Sequence, residues 1–192
     1  ILPNGGSGLS ELFEKESLDQ IKDWVNEGGT LIATEGAASF FTKEFSDFTE
    51  ISMKKYPKDS SLMARSLTYD QRTAYEGKKR IPGTALNAKI DITHPLAFGL
   101  KAELYTLKFG TDVLVPNVAL ETVGSYSKLN QLNVAGYISP ENLSHLAENT
   151  FAGVVNMGRG KIVYLIDNTQ YRMFWMGPSR MMQNAVMQIP GY

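Results

Sequence analysis

The residues of this chain best suited to chemistry stand at three Gly-rich turns and on one short helical stretch. Asn4-Gly5-Gly6-Ser7 precedes a helical pattern, and backbone N–H groups in such a turn can cradle an anion. It completes neither a Walker motif nor a G-x-G-x-x-G fingerprint. Gly5-Gly6-Ser7-Gly8-Leu9 also misses the G-x-S-x-G nucleophile elbow, because Leu9 stands where the last glycine belongs. The better elbow position is Glu35-Gly36-Ala37-Ala38, straight after an apolar, β-prone run over residues 30–34. No Ser, Thr or Cys stands at its tip. Gly158-Arg159-Gly160-Lys161 leads into a strand pattern instead of a helix, so a hairpin turn explains it best. His145 and Glu148 form H-x-x-E, which can supply two ligands of a catalytic zinc, but such a site needs three. No histidine follows, so a surface His and Glu on a short helix are expected, and His94 reads as a turn residue ahead of Pro95.

Composition narrows the classes. Apolar residues make up 43% and charged residues 20%, the balance of a globular domain. A formal net charge of -1 gives no reason to invoke nucleic acid or an anionic membrane surface. The absence of cysteine excludes disulfides, thiolate nucleophiles and Cys-ligated zinc together. No run approaches the roughly 20 apolar residues of a membrane-spanning helix, and no signal peptide opens the sequence. Residues 1–3 look like the tail of a buried strand, so the chain reads as a fragment of something longer.

The elements that must position these groups follow from periodicity. Ser17 and Gln20 have capping-box spacing. Leu18, Ile21, Trp24 and Val25 then share one helical face, and Gly28-Gly29 supplies a left-handed stop. Residues 30–34 read as a central parallel strand. Residues 37–48 predict a second helix with Phe40, Phe41, Phe45 and Phe48 as core, and residues 62–75 a weaker one bearing Leu67 and Tyr75. Strands are expected at 84–90, 105–109, 113–115, 118–126, 151–157 and 161–166, the last two joined as a hairpin. Ser139-Pro140 caps a short helix, and residues 179–186 form the last one. These elements make a single domain over residues 1–192. Its turns at 4–7 and 35–36 meet at the carboxyl ends of parallel strands, where α/β sheets bind ligands. Asn4, Gly5, Gly6, Ser7, Glu35 and Gly36 are therefore the candidate ligand-binding residues. No catalytic residue and no metal ligand is assigned.

Several segments, in this order, resemble a known family: Leu2-Pro3-Asn4-Gly5-Gly6, residues 28–33, Arg80-Ile81-Pro82-Gly83-Thr84-Ala85, residues 91–99, residues 153–161 and residues 167–184. Together they resemble the class I glutamine amidotransferase-like domain that follows the catalytic domain in secreted bacterial zinc carboxypeptidases. The resemblance implies a three-layer flavodoxin-like α/β fold with a largely parallel sheet, incomplete at its N-terminus. Active amidotransferases carry a Cys at the elbow with a His and an acidic partner; Glu35-Gly36-Ala37 has no thiol, so no catalytic residue transfers. The implied role is a non-catalytic accessory domain. Proteolysis, and the zinc that serves it, would belong to an upstream peptidase domain, and no cofactor is expected in this chain. The implied location is secreted or periplasmic; the implied partners are that upstream domain and a second copy in a homo-oligomer. Two other readings are an active hydrolase or amide-handling enzyme using Ser7 or Glu35, and a small-ligand binding module using the 4–7 turn. The apolar run Tyr171, Met173, Phe174, Trp175, Met176, Met181 and Met182 is expected mostly as core, and as a partner surface if exposed.

Overall fold

Parallel pairing begins where the sequence places it. In a computed structural model, which describes residues 1–5, 8–57 and 66–192, Leu2 donates its N–H to Ile32 O (2.8 Å) and accepts from Thr34 N–H (3.1 Å). Strand β1 (Thr30–Thr34) then pairs in parallel with β7 (Gly160–Leu165), Ile32 opposite Val163. The other strands are β2 (Thr84–Ile90), β3 (Glu103–Lys108), β4 (Glu121–Tyr126), β5 (Asn133–Ala135) and β6 (Thr150–Met157). The sheet runs β1-β7-β6-β4-β2-β3, with β5 also on β2.

Every pairing of named strands except β1–β7 is antiparallel, which corrects the largely parallel sheet. Connection length is part of the reason. A parallel neighbour needs a crossover of a dozen or more residues. Residues 3–29, through helix α2 (Lys15–Asn26), provide one between the Leu2 segment and β1, and residues 35–159 separate the parallel neighbours β1 and β7. β6 and β7 are joined by the expected hairpin at Gly158-Arg159 and can only run antiparallel. The architecture is mixed α/β.

Helix α2 starts two residues before the expected cap: Glu14 is its N-cap, and the Ser17/Gln20 box does not form. Its end is as read. Gly28 takes φ 122°, Gly29 N–H reaches Trp24 O (3.0 Å) and Gly28 N–H reaches Val25 O (2.9 Å), the Schellman pattern. The helix expected over 37–48 is two short ones, α3 (Gly36–Phe40) and α4 (Lys43–Ser46). Phe40, Phe41 and Phe48 are buried there, whereas Phe45 is exposed. A leading short helix, α1 (Leu9–Leu12), buries Leu9. Part of the helix expected over 62–75 lies outside the described residues; α5 (Tyr69–Lys78) follows Thr68, whose N–H donates to Gln71 Oε1. Residues 113–115 form no strand, only bridges from Leu114 to Met53 and Thr150. Two short helices, α6 (Leu129–Leu132) and α7 (Pro140–Leu146), flank β5, and Ser139 caps α7 by accepting from Asn142 N–H. Helix α8 (Met176–Met187) packs on β3. The buried apolar residues gather in one cluster spanning Val25, Leu31, Phe41, Leu86, Leu114, Phe151, Val163 and Met181.

Candidate functional site

At the carboxyl end of β1 the chain turns sharply. Glu35 N–H continues the ladder to Leu165 O (2.8 Å). Its own backbone then adopts φ 49°, ψ -122°, as the N-cap of α3. Positive φ in a residue with a Cβ is strained, at a cost of order 1–3 kcal/mol, and the buried Ala37, Ala38 and Phe40 hold the turn from below. This is the strand-to-helix elbow where a nucleophile would stand, and a carboxylate occupies its tip. Asn4, carried alongside by the Leu2 pairing, accepts from Gly36 N–H (3.2 Å) and donates to Glu35 Oε2 (3.4 Å). The structure thus brings together Asn4, Glu35 and Gly36. Gly5 turns away, packed against Leu9 at the start of α1, and Gly6 and Ser7 lie outside the described residues.

A buried polar network that periodicity does not reveal lies beneath the elbow. Asp167, two residues past β7, accepts from Lys108 Nζ (2.9 Å), Thr106 Oγ1 (2.9 Å) and Tyr126 OH (2.7 and 2.9 Å). Lys108 and Asp167 are both fully buried, and Lys108 Nζ also donates to Asp112 O. Asp112 in turn accepts from Ser39 Oγ (3.1 Å). Burial, then the Asp167 charge, push the Tyr126 phenol well above its ordinary range, so it stays a donor. Burial and the Asp167 charge also raise the Glu35 carboxyl, against smaller lowering by Asn4 and Lys108. A trace of this network was present in the sequence: Lys108 sits in register with Leu104 and Thr106, the inward positions of β3. A lysine on the core face of a strand requires a buried anion.

Glu35, Asp167, Asp112, Asn4 and Asn168 line a cleft of about 370 Å³ closed on one side by Phe109. A second hollow of about 440 Å³ continues past Glu35 to Tyr171 and Arg172. A larger hollow, about 560 Å³, lies between α2 and α4, away from the strand ends. Two of its charges already have partners, since Lys43 pairs with Glu50 and Glu44 accepts from Met53 N–H. We place the functional site in the elbow cleft on chemistry, not on size.

The histidines lie elsewhere. His94 accepts from Leu96 N–H at Nδ1 and meets Glu121 through Nε2 (3.1 Å), ahead of Pro95 as the turn reading had it. His145 is not a surface residue. It is buried, its Nε2 donates to Thr111 O (3.1 Å), and its ring meets Tyr56 edge-on at 5.0 Å. Burial, with Lys54 nearby, lowers its pKa. Glu148 lies past the end of α7 at φ 61°, so the helical spacing that would align the H-x-x-E pair is lost. Among the described residues no group of three His, Asp or Glu side chains could hold a metal ion, and no helix is long and apolar enough to cross a membrane.

No protein-family model and no curated protein matches the chain. Among solved structures it is similar to a cytoplasmic protein from Salmonella typhimurium (TM-score 0.54, 17% identity, covering 98% of this chain and 70% of that one). It is also similar to a ThuA-like protein from Bacteroides uniformis (TM-score 0.48, 12% identity, 90% and 63% covered). A third is the β-galactosidase from Bacillus circulans sp. alkalophilus (TM-score 0.46, 10% identity, 93% and 20% covered). The chain spans less than two thirds of the last two. At these identities the first likeness shows a shared α/β fold alone.

Proposed function

We propose that this chain is a non-catalytic accessory domain on a flavodoxin-like, amidotransferase-like scaffold. On the resemblance of its segments, its parent is a secreted zinc carboxypeptidase whose proteolysis belongs to another domain. The observation that carries the non-catalytic reading is the elbow itself. A covalent acyl-transfer mechanism needs a thiol or hydroxyl at the tip and a base within hydrogen-bond reach. Glu35 stands there, and His94 and His145 are engaged with Glu121 and Thr111. The nearby buried hydroxyl, Ser39 Oγ, donates to Asp112. The test is ammonia release from glutamine and cleavage of peptide substrates by the chain. Neither should exceed background, whereas turnover abolished by Glu35→Ala overturns the reading.

One observation favours a second reading, carboxylate chemistry or ligand binding at Glu35. Backbone strain and a raised carboxyl pKa together, in a cleft, are features of functional sites. A base poised in this way would act on water or on a ligand's N–H. The same assay separates the two, because Glu35→Gln keeps the shape of the cleft and removes the base.

A further inference from the structure

Strand β3 ends the sheet. Among the described residues no backbone hydrogen bond reaches its outer side. Exposed edges of this kind are normally blunted by proline, a bulge or charge. β3 has neither proline nor bulge: it keeps an unbroken register with β2 over six residues, and its charges stand at its ends, Glu103 at the start and the inward-turned Lys108 at the finish, leaving Leu104-Tyr105-Thr106-Leu107 uncharged between them. The opposite edge, by contrast, meets Pro3 straight after the Leu2 bridge.

An apolar surface adjoins the carboxyl end of this edge. Phe109 follows β3 and packs on Tyr171 (5.2 Å between ring centroids), which meets Phe174 (6.5 Å). Phe109 is 42% exposed, Met173 62%, Phe174 67% and Met176 77%, so this part of the apolar run lies outside the core; Met181 is buried. Tyr105, on β3 itself, is 56% exposed. Side chains of roughly 200 Å² each, about half or more exposed, present on the order of 500 Å², the upper range of patches on monomers. With the β3 backbone added, this comes close to the ~800 Å² that each partner contributes to a stable interface.

We propose that β3 and this patch form a two-fold interface with a second copy of the chain. An antiparallel edge is self-complementary: a two-fold axis lets two copies of one strand exchange hydrogen bonds, as an isologous contact requires. The charges agree with that pairing. Exposed Glu103 lies at the amino end of β3, and exposed Arg172, over the Tyr171 ring, lies beside its carboxyl end. Antiparallel pairing brings each copy's Glu103 towards the other's Arg172. The surface borders the elbow cleft at Phe109, Tyr171 and Arg172, but the pairing uses no contact of Glu35, so it stands whether or not Glu35 acts chemically.

The test is sedimentation equilibrium of the chain at tens of micromolar, with hydrogen exchange on β3. A dimer is expected, with slowed exchange of the β3 amides. Arg172→Glu should weaken it by about tenfold or more, and Glu103→Arg added to Arg172→Glu should restore it. Both residues are exposed, so folding is undisturbed, which circular dichroism verifies. A chain that stays monomeric, a dimer with unprotected β3 amides, or a charge swap without rescue each overturns the proposal.

Discussion

Glu35 and Asp167 are both acids near the strand ends, yet their surroundings drive them apart. Asp167 has four hydrogen bonds, one of them from the buried Lys108 ammonium; Glu35 has one long bond from Asn4 and a strained backbone. Replacing Glu35 by Gly should therefore stabilise the fold by about 1 kcal/mol. Relief of ~1–3 kcal/mol of strain outweighs the ~0.5–1 kcal/mol entropy cost of glycine. Denaturant unfolding checks this, and a loss of stability would mean that the turn is not strained in solution. Asp167→Ala should do the reverse, costing about 3–5 kcal/mol, because Lys108 is left buried without its anion. Adding Lys108→Met should recover part of that loss in the same measurement. At this scale the sequence was half legible. The meeting of Asn4 with Glu35 and Gly36 was legible because each turn directly follows a segment of the parallel pairing. Thr106, Lys108, Tyr126 and Asp167 were missed because they converge from two strands and a loop.

Among the elements, the parallel seam between β1 and β7 positions the elbow, and close backbone approach holds it. A methyl group at Gly160 would collide with the carbonyl oxygens of Val25, which accepts from Gly28 N–H at the end of α2, and of Gly29, which accepts from Lys161 N–H in the seam. Gly160→Ala should therefore destabilise the chain by a few kcal/mol, the range of backbone and overpacking defects. Gly191→Ala, which meets nothing within 4 Å, should stay within about 0.5 kcal/mol. Thermal unfolding of the two variants decides it; equal shifts would rule out the steric account. Local chemistry made many elements readable: β2 lies where its alternation puts it, and the Gly28-Gly29 stop and Ser139 cap form as expected. Strand direction was harder to read, since a short apolar run looks the same in a parallel or an antiparallel ladder. Phe45 shows the same limit for helices. Its spacing fits a continuous helix, but the chain breaks after Phe40 and carries it to the surface.

Across the whole molecule, two groups that both feel the Lys108 charge act on stability in the same pH range with opposite signs. Burial and Asp167 raise Glu35 above its ordinary 4.5. Above pH 4.5 the folded state thus holds more protons at this site than the unfolded one, and its contribution falls as pH rises through the raised pKa. Burial and Lys54 lower His145 below 6.5, with Lys108 adding to the shift and Thr111 O and Asp112 opposing it. Here the unfolded state holds more protons, so stability rises with pH until about 6.5. Glu44 and Asp91, whose pKa values are lowered, act below this range. Between pH 4.5 and 6.5 the two contributions have opposite signs, so in the wild-type profile each offsets part of the other's slope. Glu35→Gln removes the falling contribution and should leave stability rising with pH across the window. His145→Gln, whose amide N–H can still donate to Thr111 O, should leave it falling. Melting temperatures at half-unit pH steps, at constant ionic strength, would read both slopes. Two variants with the wild-type profile would show that neither group carries its charge into the fold as the geometry requires.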